Sequence, residues 1–147
     1  SSKEFSYTSG LINSGSSFRQ KYGFFSAKIK LGNPGAKSAF WMLADKITPH
    51  IDICRTSGGK VWFDYFTVMG NSSKTSIGSR YSNDYFIYTI EWTPDKLVWK
   101  INNTVVFSQT SDVPQEPMYV LLAGGLDKPI NGLTSMEIDW LRVYKAK

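Results

Sequence analysis

The chain has 147 residues, 41% of them apolar, which suits one globular domain spanning 1–147. Lys and Arg outnumber Asp and Glu by 17 − 12 = 5 with no long basic run, so neither a nucleic-acid arm nor a polybasic membrane segment is indicated. No apolar run approaches the ~20 residues of a membrane span, and one His with one Cys (Cys54) gives neither a zinc cluster nor an intrachain disulfide, so no cofactor is expected.

Short segments rich in β-branched and aromatic residues recur between clusters of Gly, Pro, Asn, Asp and Ser, the rhythm of an antiparallel sandwich. Strands are expected at 10–14, 22–30, 38–43, 50–54, 61–68, 85–92, 96–101, 104–108, 118–122 and 135–144. Turns are expected at Gly32-Asn33-Pro34-Gly35, Gly58-Gly59, Thr93-Pro94-Asp95 and Asn102-Asn103. No stretch has a helical period, and the Ser- and Asn-rich piece 70–83 is expected to be the longest loop. In the second strand Phe25, Ala27 and Ile29 alternate with Ser26, Lys28 and Lys30, which fits a sheet with one buried face. In the strand at 61–68, Val61, Phe63 and Tyr65 form one set and Trp62, Asp64 and Phe66 the other. The set containing Asp64 is expected to be exposed.

Tyr7-Thr8-Ser9-Gly10, the run from Tyr22 to Lys30, and Ala39-Phe40-Trp41-Met42-Leu43 together resemble the early strands of glycoside hydrolase family 16, of the laminarinase type. His50-Ile51-Asp52-Ile53 lines up with that family's catalytic strand, and Tyr88 to Asp95 with its Glu-Trp-Thr-Pro-Asp stretch. Gly124-Gly125 and Ile138 to Tyr144 resemble its closing segments. The likeness implies an all-β, antiparallel β-sandwich of the jelly-roll, concanavalin-A-like kind. Family members carry further strands before the Tyr-Thr-Ser-Gly segment, so either those strands are missing here or another chain supplies them. An open sheet edge covered by a partner chain or a second copy is therefore expected.

The resemblance also implies a chemistry that these residues do not supply. Retaining glycosidases need a nucleophilic carboxylate and an acid/base carboxyl about 5–5.5 Å apart. The family places both on one strand as Glu-x-Asp-x-x-Glu, with a β-bulge re-aiming the last Glu into the cleft. Here those positions are His50, Asp52 and Arg55, and in the family's bulge-free form, Glu-x-Asp-x-Glu, the last position is Cys54. Arginine stays protonated at every accessible pH and cannot act as the acid. His50, oriented by Asp52, can serve as a base, but no second carboxylic acid remains in register to protonate the leaving oxygen. Cys54 is read as a small buried hydrophobe, and Asp52 as an acceptor that pairs with His50 or Arg55.

The expectation is a noncatalytic glycan-binding sandwich outside the cell, at the cell surface or in the periplasm. Its partner is an oligosaccharide or polysaccharide, held by Trp41, Trp62, Asp64, Arg55, His50 and Lys37 on the concave sheet. Trp92, Trp99 and Trp140 are expected in the core or on the opposite sheet. The family's Trp-Pro, strand Glu and Asn are replaced by Lys37-Ser38, Ser26 and Val120, changes expected to weaken contacts with a neutral sugar. Carboxylates give way to His50, Arg55 and Lys37, which turns the cleft cationic and favours an acidic glycan. Two other readings stay open: a weak or altered endo-β-glycan hydrolase, and a structural or assembly domain with no sugar function.

Overall fold

The computed structural model describes residues 10–32, 36–78, 84–126 and 136–145. Tyr7-Thr8-Ser9, Asn33-Pro34-Gly35 and Ser135 of the sequence expectations lie outside them. Eleven strands form among the described residues: β1 (Gly10–Asn13), β2 (Gly23–Lys30), β3 (Ala36–Leu43), β4 (His50–Ser57), β5 (Lys60–Phe66), β6 (Ser72–Gly78), β7 (Tyr85–Trp92), β8 (Leu97–Ile101), β9 (Thr104–Gln109), β10 (Tyr119–Leu126) and β11 (Glu137–Tyr144). They make two antiparallel sheets, one ordered β1-β10-β3-β4-β5-β6 and the other β11-β2-β7-β8-β9, stacked as a sandwich. No helix in them is long and apolar enough to cross a membrane.

Alternation decides which face of each strand is buried. Phe25, Ala27 and Ile29 of β2 are fully buried, whereas Lys28 and Lys30 face outward and pair with Asp139 and Glu137 of β11 at 3.4 and 3.7 Å. From the larger sheet, Phe40, Met42, Ile51, Val61, Phe63 and Tyr65 meet Trp92, Trp99, Tyr88 and Ile90 of the smaller one. Burying each large apolar side chain contributes about 1.5–3 kcal/mol, so this interlayer contact supplies most of the drive to fold. Trp92 and Trp99 are therefore core residues, and Trp140 lies on β11 in the smaller sheet beneath the Arg142 guanidinium, 4.2 Å from its ring centroid.

The hairpins follow from turn chemistry. Gly58 and Gly59 adopt φ of +60° and +71°, and Asn102 and Asn103 of +47° and +68°, which close β4–β5 and β8–β9 with two-residue turns. The stretch expected as the longest loop instead contains β6, which pairs with β5 from Phe66↔Ser72 to Lys60↔Gly78. An edge strand needs a partner on one side only, and from β6 only Ile77 packs against the core. Polar residues suffice for the rest of it, so no apolar alternation marks the strand.

Candidate functional site

The outer face of the six-stranded sheet is built around an irregularity in β4. Asp52 lies opposite Trp41 of β3 and Asp64 of β5, and Arg55 lies opposite Ala39 and Trp62, but Phe40 faces Cys54 and leaves Ile53 without a β3 partner. This is a β-bulge. A regular strand would put Asp52 and Arg55, three residues apart, on opposite faces. The extra residue cancels that inversion: Ile53 and Cys54 are both buried, and His50, Asp52 and Arg55 all look outward. The Trp99 indole, reaching across from β8, donates to the Asp52 carbonyl at 2.8 Å and anchors the bulge to the other sheet.

One connected network joins the four polar side chains. His50 Nε2 and Asp52 Oδ1 are 2.7 Å apart. Arg55 Nε donates to Asp64 Oδ2 at 2.5 Å, Arg55 Nη2 to Asp64 Oδ1 at 3.3 Å, and Arg55 Nε lies 3.5 Å from Asp52 Oδ2. Asp52 is 5% exposed and Asp64 not at all. Burial pushes the Asp64 carboxyl above its usual range, the Arg55 guanidinium pulls against that, and Asp52 adds to the rise. The sequence expectation of an exposed Asp64 is thus corrected: it belongs to the outward set, but its neighbours cover it completely. His50 sits edge-on to Phe66, centroids 5.4 Å apart.

Two tryptophans flank this network, and both are half-buried. Trp41 is the direct neighbour of Asp52 on β3. Trp62 is the neighbour of Arg55 on β5, and its Nε1 donates to the Ser57 carbonyl at 3.0 Å, which fixes the indole against the β4–β5 turn. The guanidinium of Arg55 and the ammonium groups of Lys60 and Lys74 lie 5.5, 5.9 and 5.4 Å from the Trp62 ring centroid. Lys37 is exposed on the outward set of β3, two residues before Ala39, the neighbour of Arg55.

The remaining expected contacts fall elsewhere. Val120 pairs with Met42 and is buried in the core, Ser38 is buried, and Ser26 belongs to the other sheet, 2.7 Å from the Thr89 hydroxyl. Of the residues that replace the family's usual ones outside β4, only Lys37 reaches this face, because strand parity turns Ser38 and Val120 inward and Ser26 lies on the other sheet. Sequence reasoning missed Lys60 and Lys74. A Trp flanked two residues away by Lys is visible within β5, but Lys74 joins them only through pairing with a strand that carries no signal.

Among the described strands of this sheet no carboxyl pair is exposed. Asp52 and Asp64 are the only acidic residues in the six described strands of this sheet, and both are engaged and shielded from solvent. No group of three or more His, Cys, Asp or Glu able to hold a metal ion occurs among the described residues.

The model of the glycosyl hydrolases family 16 matches residues 2–142. The endo-1,3-1,4-beta-glycanase EglC of Rhizobium meliloti is 29% identical over 95% of this chain and 34% of its own length. A beta-glucanase of Bacillus licheniformis is 27% identical over 84% of this chain and 58% of its own length. The chain thus spans about a third of the first relative and little more than half of the second. In structure, the laminarinase catalytic domain of Thermotoga maritima matches with a TM-score of 0.79 at 21% identity, covering 93% of this chain and 69% of that one. At that identity the likeness speaks for the sandwich fold alone.

Proposed function

Because the chain belongs to the glycosyl hydrolases family 16, we propose that it binds an oligosaccharide or polysaccharide across the outer face of its six-stranded sheet without hydrolysing it. The observation that carries this reading is the state of β4. The bulge that aims a third side chain outward is present, yet the outward positions hold His50, Asp52 and Arg55, and the two carboxylates of the sheet are tied up and buried. Acid/base cleavage needs one exposed carboxyl that is protonated and another that is ionised. Binding needs only flat apolar surface with polar groups around it, which Trp41, Trp62 and their neighbours provide. Such a role belongs outside the cytoplasm, at the cell surface or in the periplasm, where polysaccharides are met.

A glycan-array screen of the chain, followed by reducing-end assays on each bound glycan, tests the reading. Binding without product is expected. Product formation that disappears in His50→Ala would overturn it in favour of the second reading, an altered hydrolase using the His50–Asp52 pair as its base. That reading draws on the 2.7 Å contact between the two side chains. A folded chain that retains no glycan would instead leave the sandwich as an assembly domain.

A further inference from the structure

We infer that Trp62, Lys60 and Lys74 form a subsite for an anionic sugar residue, one bearing a sulfate ester or a carboxylate, and that Arg55 positions this subsite without being its anion contact. The inference rests on the glycan-binding reading above and deepens it.

Charge bookkeeping at the site separates the three cations. Arg55 directs Nε and Nη2 at Asp64 and keeps Asp52 within 3.5 Å, so its charge is already met by carboxylates. Lys60 and Lys74 form no ion pair among the described residues, and their ammonium groups lie 5.9 and 5.4 Å from the Trp62 ring centroid. A cation over an exposed aromatic ring gains only about 0.5–1 kcal/mol. Gathering two ammonium groups without a carboxylate partner on one ring therefore leaves mutual repulsion that an anion would relieve.

A structural role for the lysines explains less. Lys74 lies on the edge strand, where lysine guards against pairing with another chain. Lys60, however, lies on β5, which is paired on both sides. Both point to the same face as Trp62: Lys60 two residues before it, Lys74 opposite Asp64 on the neighbouring strand. Both are exposed on long flexible stems, so their tips can leave the ring for a sulfate or carboxylate while the indole meets the sugar's apolar face. The Ser57 carbonyl holds the indole in place for this. Arg55, braced by Asp64, supports the indole from β4.

Calorimetry with three probes tests the subsite: a sulfated galactan oligosaccharide, an oligogalacturonate and a neutral laminarin oligosaccharide, each at low and high salt. At least one acidic probe should bind more tightly than the neutral one and weaken as salt rises. Which acidic probe is tighter separates sulfate from carboxylate. Lys60→Gln/Lys74→Gln should cut affinity for that probe by about tenfold, each exposed charge contributing up to about fivefold, and should not weaken the neutral probe. Trp62→Ala should weaken every probe that binds, at either salt, with Trp62→Phe recovering part of the loss; thermal unfolding confirms that the variants are folded. Acidic probes that bind no better than laminarin, or an acidic preference that survives in the double lysine variant, would overturn the subsite and leave glycan binding standing. Failure of all three probes, in a chain that the array shows to bind no glycan, would overturn both.

Discussion

Asp64 places a carboxyl out of contact with solvent, and burial raises it above its ordinary 3.8 despite the adjoining guanidinium. In the unfolded chain it returns to that ordinary value, so the folded state holds this proton more tightly. The corresponding stability is complete below about pH 3.8 and is lost as pH rises through the higher native value. Asp64→Asn removes the titration. The stability of the parent minus that of the variant, from urea midpoints at several pH values between about 3 and 7, should therefore fall with rising pH. A difference that stays flat or rises would show that the Arg55 contact outweighs burial. Cys54 gives a second residue-scale test. Burial first, and the Asp52 charge second, push its thiol well above the usual range, so a maleimide at pH 8 should leave the native protein unlabelled and react only in denaturant.

The bulge in β4 is where sequence, register and site meet. Its position is legible in the amino-acid sequence, because the resemblance locates the strand and period-two geometry requires an inserted residue for His50, Asp52 and Arg55 to share a face. The Gly58-Gly59 and Asn102-Asn103 turns are equally legible, since few residues accept two successive positive φ values. Two things are not. Strand β6 has one apolar contact with the core and a polar outer row, so its sequence looks like a loop. The burial of Asp64 depends on neighbours from adjacent strands, which alternation within β5 does not record. Trp99 carries a prediction at this scale, because its Nε1 satisfies the Asp52 carbonyl at the bulge. Trp99→Phe keeps most of the apolar volume but leaves a carbonyl without its buried donor. It should cost about 1–3 kcal/mol beyond the lost volume and disturb the His50–Asp52 contact. Denaturant unfolding measures the first effect, and the His50 ring resonances report the second.

For the whole molecule, the question is whether glutamates at the two family positions would make the sandwich hydrolyse a glucan. His50→Glu/Arg55→Glu supplies carboxyls at both family positions, but it also removes the cation that holds Asp64 and the imidazole that contacts Asp52. Four acidic groups would then crowd one face, with Asp64 among them fully buried. Stripping a buried charge of its partner typically costs about 3–5 kcal/mol, a large part of a small domain's total stability. The double variant should therefore unfold much earlier than the parent and show no hydrolysis of laminarin or mixed-linkage glucan. Adding Asp64→Asn removes the orphaned charge and should return much of the lost stability. Lys60 and Lys74 remain around Trp62 in that triple variant, so a neutral glucan would still meet a surface suited to an anionic sugar. Thermal unfolding of parent, double and triple variants, with reducing-end assays on each, separates the two ideas. A double variant as stable as the parent would mean that the Arg55–Asp64 pair matters little to the fold, and strong hydrolysis by either variant would mean that the loss of the two glutamates alone silenced this face.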